Sequence, residues 1–316
     1  MKNHLLWAIE TLKKQGYDLN ADPALVQQAP WSEVTRFSTP HENFYLKKTP
    51  SALLLEIEVI QTLKKDFHIS VPTIIANNPE EHCFLMNDAG IPLRAFFKEG
   101  LNADIFTKTL ENYANFQSIS ANNLPRFFDI GVPDWRLAKL PFLYQELVNQ
   151  ETVLQQFGLT NEEINQCQDL SEHFQNICEK LGAYNIPNTF GHCDFHDNNV
   201  LIHPETHQTT MIDLGEVVVT HPFFSLLNML NHVKESCNLT LQQVDELQQQ
   251  ALKPWLKLES LSNMQTMMTL IQQCWLIHAI LGIYRLMLCV DPIEFSNIAC
   301  KNHFATKLRT WINLSR

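Results

Sequence analysis

The sequence predicts an α+β protein built as two unequal lobes. Short β-favouring runs surround one amphipathic helical stretch before Gly90, and after Gly90 the apolar spacing is almost wholly helical. The length of 316 residues at 45% hydrophobic content is also more than one small lobe needs to bury a core. The expected division is a first lobe over residues 1–86 with antiparallel strands and a helix, a connecting segment over 87–90, and a larger, mainly helical lobe over 91–316.

The elements follow in order. Residues 31–37 and 44–47 read as two short strands joined by the turn 38–43, which carries Pro40 and Asn43. Leu53, Ile57, Ile60 and Leu63 recur at helical spacing and give an amphipathic helix. Residues 83–86 form an apolar strand that Asn87-Asp88-Ala89-Gly90 breaks, with Gly90 supplying a flexible turn. Pro92-Leu93-Arg94 opens the helical part. One helix holds Ile105, Leu110, Tyr113, Phe116 and Gln117, and one or two more lie within 154–181. Residues 127–136 have loop punctuation, with Asp134 and Arg136 equally readable as a surface ion pair. From 222 to 316 the chain is nearly all helix, with stops at Pro254 and Pro292.

The densest chemistry lies at 191–199 and 212–215. It reads His192-x-Asp194-x-x-x-x-Asn199, then Asp213-x-Gly215. Residues 200–202 and 209–212 are β-favouring runs flanking a turn with Pro204, so a hairpin brings Asn199 beside Asp213. A carboxamide and a carboxylate suit Mg²⁺, which takes one or two protein oxygens and completes its shell with phosphates and water. Asp194 is left to accept a hydrogen bond from an acceptor hydroxyl. A second reading stays open: His192, Cys193, Asp194, His196 and Asp197 are metal-ligand types at close spacing and could serve a Zn²⁺ or Mn²⁺ hydrolase.

The stretch 192–199 resembles the catalytic loop of the aminoglycoside phosphotransferase and choline kinase superfamily, whose fold is protein-kinase-like and whose loop reads His-Gly-Asp-x-His-x-x-Asn. Here Cys193 replaces the Gly, and Asp197-Asn198 replaces a Pro-Gly. The resemblance implies a kinase that uses ATP or GTP and Mg²⁺ to phosphorylate a small-molecule hydroxyl. It implies Asp194 as base, His192 and His196 as braces of the loop, and Asn199 and Asp213 as metal ligands. Many relatives carry Asp where Ser225 stands, which leaves the loop's brace weaker or missing; the Cys193 and Ser225 departures together leave a nucleotide-binding module without turnover as a third reading. The resemblance also implies a phosphate-holding Lys47 paired with Glu56, with Lys48 and Glu58 the alternative pair. Adenine contacts fall on Asn87, Asp88 and Ala89. No Gly-x-Gly-x-x-Gly precedes Lys47, because no glycine lies between Gly16 and Gly90; the 38–43 turn could cover phosphates with its N–H groups and the Ser38 or Thr39 hydroxyls, and nucleotide contacts in this region stay unassigned.

The remaining composition sets limits. A formal net charge of −11 argues against nucleic acid and is compatible with a cationic acceptor, an amino sugar or amino alcohol, with Asp197 and Glu216 adding to the local field. The eight cysteines include no Cys-x-x-Cys pair. The first ten residues are too polar for a signal peptide, so a cytoplasmic protein with free thiols is expected. The apolar run 264–290 is interrupted by Gln272, Gln273, His278 and Arg285 and reads as a buried helix, with no membrane partner expected.

Overall fold

The computed structural model of the chain describes residues 2–290 and 300–315. In chain order the elements are α1 (Asn3–Lys14), β1 (Ala24–Ala29), β2 (Ser32–Ser38), β3 (Asn43–Lys48), α2 (Leu55–Asp66), β4 (Ile74–Asn78), β5 (Cys83–Asn87), β6 (Ile91–Pro92), α3 (Leu93–Phe96), α4 (Ala103–Ser120), α5 (Leu124–Asp129), α6 (Leu140–Val148), α7 (Glu151–Gln156), α8 (Asn161–Asp169), α9 (Ser171–Gly182), β7 (Thr189–His192), β8 (Val200–Ile202), β9 (Thr209–Met211), β10 (Val217–Thr220), α10 (Phe223–Ser236), α11 (Leu241–Leu252), α12 (Leu261–Leu288) and α13 (Cys300–Leu314). The class is α+β, as the periodicities predict. Contacts divide the chain into two compact units. One takes in Met1–Phe96 and Asn198–Gly215; the other takes in Phe97–Asp197, Glu216–Leu288 and the last helix.

The first unit holds an antiparallel sheet in the order β1-β2-β3-β5-β4. Strand side chains alternate faces. Phe44 and Leu46 of β3 and Phe37 of β2 therefore point one way, where with Cys83 and Leu85 they bury against Ala8 and Leu12 of α1. Lys47 points the other way and is nonetheless only 5% exposed. Helix α2 carries Glu56 among its buried residues Val59, Ile60 and Leu63, at spacings of three, four and seven. A second small sheet orders β6-β8-β9, and β8 and β9 form the expected hairpin.

Gly90 is fixed by more than flexibility. It adopts φ +115°, and a Cβ there would lie 2.3 Å from the carbonyl oxygen of Ile202, the β8 residue paired with Ile91. A Gly90→Ala change meets both a left-handed backbone and a backbone clash. The expected loss, on the order of 2–3 kcal/mol, is readable as a lowered urea midpoint.

The second unit is mainly helical around a two-stranded pairing of β7 with β10. Residues Phe223–Leu230 of α10 are buried throughout. Helix α12 is long and apolar enough to cross a membrane by length and composition, with a mean hydropathy of 1.4 in its most apolar window. Its residues Met264, Met268, Ile271, Cys274, His278 and Leu281 are buried, and it packs against α6, α9, α10 and α13.

Two imidazoles of this unit are wholly desolvated. His221 lies against Phe223, and the His278 ring stacks on Phe224 at 4.2 Å. Burial drives both down to about 3 from the usual 6.5. Between those values the unfolded chain binds protons that the folded chain refuses, so stability is lost as pH falls through that window. The urea midpoint is expected to drop between pH 7 and pH 4. His278→Phe keeps the ring stack and removes the titration, and should flatten that slope.

Several elements differ from the sequence reading. Helix α1 and strands β1, β4, β6, β7 and β10 were not anticipated. The stretch 154–181 contains parts of α7, α8 and α9, more than the one or two helices expected, because Gly158 and the Thr160 capping box restart the chain. Residues 127–129 close α5 and are not loop. Asp134 and Arg136 do form an ion pair, at 2.7 Å, with the guanidinium 5.3 Å over the Phe128 ring. Pro254 follows the end of α11; the expected stop at Pro292 lies outside the described residues.

Candidate active site

In the first unit the site is organised by one lysine. Lys47 Nζ lies 2.6 Å from Glu56 Oε2 and 2.5 Å from Asp213 Oδ1. The other Glu56 oxygen, Oε1, accepts a hydrogen bond from the Leu214 N–H at 3.0 Å, so the α2 carboxylate ties the β3 lysine to the turn after β9. Lys48 instead faces Glu81 at 3.8 Å, and Glu58 is exposed. Burial alone would push the Lys47 ammonium down; the Asp213 and Glu56 carboxylates outweigh it and raise its pKa, so it remains a cation. Burial, reinforced by Asp213, raises Glu56 against the pull of Lys47 and the Leu214 N–H.

Asp213 sits at φ +60°, a left-handed conformation Asp tolerates better than most residues, and its side chain is 32% exposed. Asn199 is buried, and its carbonyl accepts the Ile212 N–H at 3.0 Å, which places the start of β8 beside the residue preceding Asp213. Gly215 lies close by: a Cβ there would make ordinary van der Waals contact with the Leu53 carbonyl and the Glu56 carboxylate, at 3.4–3.5 Å.

The expected adenine segment is a tight turn. Asn87 accepts the Thr73 N–H at 2.6 Å and donates to the Asp88 carbonyl; Asp88 accepts the Gly90 N–H and the Asn43 amide; Ala89 lies between them, partly buried. The 38–43 turn is closed by its own side chains. Thr39 is buried, donates to the Glu42 carbonyl at 2.7 Å and accepts the Glu42 N–H, while Ser38 donates to Asn43. These hydroxyls close the turn on itself and are not spare for phosphates.

In the second unit β7 ends at His192, which is fully buried, and the Asp194 N–H donates to its Nδ1 at 3.2 Å. Asp194 Oδ2 lies 3.2 Å from His196 Nε2, and the His196 ring is 4.7 Å from that of His232. Burial would raise the Asp194 carboxyl; the His196 hydrogen bond and the nearby His196, His192 and His232 imidazoles hold it below the usual range, so it is ionised near neutral pH. The Cys193 thiol is pushed up by burial and by Glu216 and Asp194, against Arg285. It stays a thiol, not a thiolate nucleophile. Asp197 is fully buried and accepts a 2.6 Å hydrogen bond from Ser236, so it belongs to the packing of the loop and not to an exposed acidic field. Among the described residues no three His, Cys, Asp or Glu side chains group as a metal site would need.

The profile of the phosphotransferase enzyme family, which includes the aminoglycoside phosphotransferases, matches residues 29–257. The chain belongs to this family. It is accordingly a phosphotransferase. No curated protein sequence matches the phosphotransferase at a significant level. Solved structures resemble its fold across nearly the whole chain. A GDP and kanamycin complex of APH(2")-IIia has a TM-score of 0.63 at 14% identity, covering 96% of this chain and 98% of that one. The Plasmodium vivax ethanolamine kinase has a TM-score of 0.62 at 12% identity, covering 98% and 87%. Amicoumacin kinase hAmiN in complex with AMP-PNP, Ca²⁺ and amicoumacin has a TM-score of 0.56 at 13% identity, covering 98% and 96%. The phosphotransferase therefore has the protein-kinase-like α+β fold.

Side chains given no role in the sequence reading also hold the stretch 190–195. Tyr113, Gln117 and Ser120 share one face of α4 and reach the backbone of His192 and Phe190, and Asn228 of α10 donates to the Phe195 carbonyl. The sequence placed Tyr113 and Gln117 in one helix, but helical spacing does not say what a buried face meets.

Proposed function

We propose that this phosphotransferase moves the γ-phosphoryl group of ATP or GTP to a hydroxyl of a small molecule. The observation that carries the reading is the buried Lys47 cation held between Glu56 and a partly exposed Asp213. The cation compensates the buried Glu56 carboxylate and is held beside the partly exposed Asp213, where nucleotide phosphates and their metal can meet it. Asn199 and Asp213 supply the hard oxygen donors that Mg²⁺ takes alongside phosphates. When bound, Mg²⁺ neutralises phosphate charge and orients the transferring group.

The chain's own groups take the other roles. Lys47 binds α- and β-phosphate oxygens, and Glu56 fixes its ammonium. The 87–89 turn offers backbone groups to the base. Asp194, ionised and partly exposed, accepts the hydrogen bond of the incoming hydroxyl and orients its oxygen. His192 and His196 act through Asp194 as positioning residues. The net charge of −11 favours a cationic acceptor of amino-sugar or amino-alcohol type, an argument from which the buried Asp197 is removed.

The test is a thermal-shift series with Mg²⁺-ATP and Mg²⁺-GTP. It is followed by mass spectrometry of reactions with amino sugars, amino alcohols and neutral hydroxyl metabolites. A raised Tm with either nucleotide and a phosphate ester on one acceptor are expected. No nucleotide shift, with a rise on Zn²⁺ alone, would return the hydrolase reading. A neutral or anionic acceptor would remove the charge argument only.

A further inference from the structure

We propose that Tyr113 is a positioning residue for the catalytic loop, holding the backbone of His192 in a closed ring of hydrogen bonds with Ser225; the proposal rests on the role given above to Asp194. The His192 N–H donates to the Tyr113 hydroxyl at 3.0 Å, that hydroxyl donates to Ser225 Oγ at 3.2 Å, and Ser225 Oγ donates to the His192 carbonyl at 3.0 Å. Every donor in the ring is used once, and both backbone groups of His192 are engaged. Tyr113 is 6% exposed and Ser225 3% exposed, so water does not compete for these bonds.

The same tyrosine reaches the other side of Asp194. Its ring stacks on Phe195 at a centroid distance of 4.0 Å and an interplanar angle of 21°. One side chain thus grips the residue two positions before Asp194 and the residue directly after it. Asn228 adds a bond to the Phe195 carbonyl at 3.2 Å. Ser225 alone reaches only the His192 carbonyl, and without the tyrosine hydroxyl the His192 N–H has no acceptor in this ring. Burial raises the Tyr113 pKa, so the hydroxyl keeps the proton that it donates.

A positioning role differs from plain packing in what it moves. Small displacements of a reacting group can cost up to ~10²-fold in rate. Tyr113→Phe keeps the ring stacked on Phe195 and removes only the hydroxyl. It is expected to lower the kcat for hydrolysis of Mg²⁺-ATP or Mg²⁺-GTP, measured without acceptor, by roughly 10–100-fold, while nucleotide Kd changes by less than twofold. Amide hydrogen exchange across 192–196 should accelerate. Ser225→Ala breaks the same ring and should give the same pair of effects, and the double variant should cost little more than either single one, as members of one unit do. Unchanged kcat with unchanged exchange in both variants would overturn the proposal, as would additive losses in the double variant. A wild-type chain that turns over neither nucleotide would count against the proposed function, and the exchange measurement would then decide the role of Tyr113 alone.

Discussion

Asp213→Asn and Asp194→Asn are expected to disable the enzyme in different ways. In the wild type, Mg²⁺-nucleotide at about 100 times its Kd should add ~2.7 kcal/mol to stability by mass action. Asp213→Asn removes the carboxylate that stands 2.5 Å from Lys47 and that is proposed to face the metal, so this stabilisation should largely vanish. Asp194→Asn leaves the Lys47, Glu56 and Asp213 cluster untouched. Nucleotide stabilisation should persist, while turnover with a confirmed acceptor falls by ~10²–10⁴-fold, the usual contribution of a general base. Calorimetric binding beside steady-state rates separates the two. Near-normal turnover in Asp194→Asn would take the acceptor-orienting role away from that residue, and intact nucleotide binding in Asp213→Asn would take the metal away from Asp213.

What could be read from the sequence depended on how far along the chain the physics reached. The stretch 192–199 and the Asp213-x-Gly215 turn were legible because their chemistry is written in residue types only a few positions apart, and the hairpin between them has ordinary β-favouring runs and a proline turn. The side of α2 that carries Glu56 was legible from the apolar stripe beside it. Strand β1 was not, because its Leu25, Val26, Gln27 and Gln28 are all exposed and show no alternation. Strand β4 hid behind an irregular register between Ile74 and Ala76. The ring of Tyr113, Ser225 and His192 was out of reach for a different reason. It joins residues up to 112 positions apart, and a tyrosine at a helical apolar position reads as ordinary core. The substitution at Ser225 suggested a missing brace, whereas the structure has one, completed from another helix.

Lys47→Met is expected to be the most damaging single change to stability, and its pH dependence identifies the cause. The methionine fills much of the lysine's volume, so packing is little disturbed. What it removes is the cation beside Glu56, a carboxylate only 2% exposed whose Oε2 faces Lys47 at 2.6 Å. Removing one partner of a buried pair costs ~3–5 kcal/mol because the other charge is left uncompensated. That cost should appear in full near pH 8. With its lysine gone, Glu56 takes up a proton at a pH well above the usual carboxylate range, driven by burial and by Asp213. Between the unfolded and folded pKa values the folded chain then binds the extra proton, so its stability relative to wild type recovers as pH falls and is lost again as pH rises. The difference in urea midpoint between Lys47→Met and wild type should therefore narrow from pH 8 to pH 5. Adding Glu56→Gln should recover part of the loss at pH 8, since a neutral amide needs no buried counter-ion and can still accept the Leu214 N–H. A loss that is the same at both pH values, and that Glu56→Gln does not relieve, would mean that Lys47 contributes packing and not charge compensation at this site.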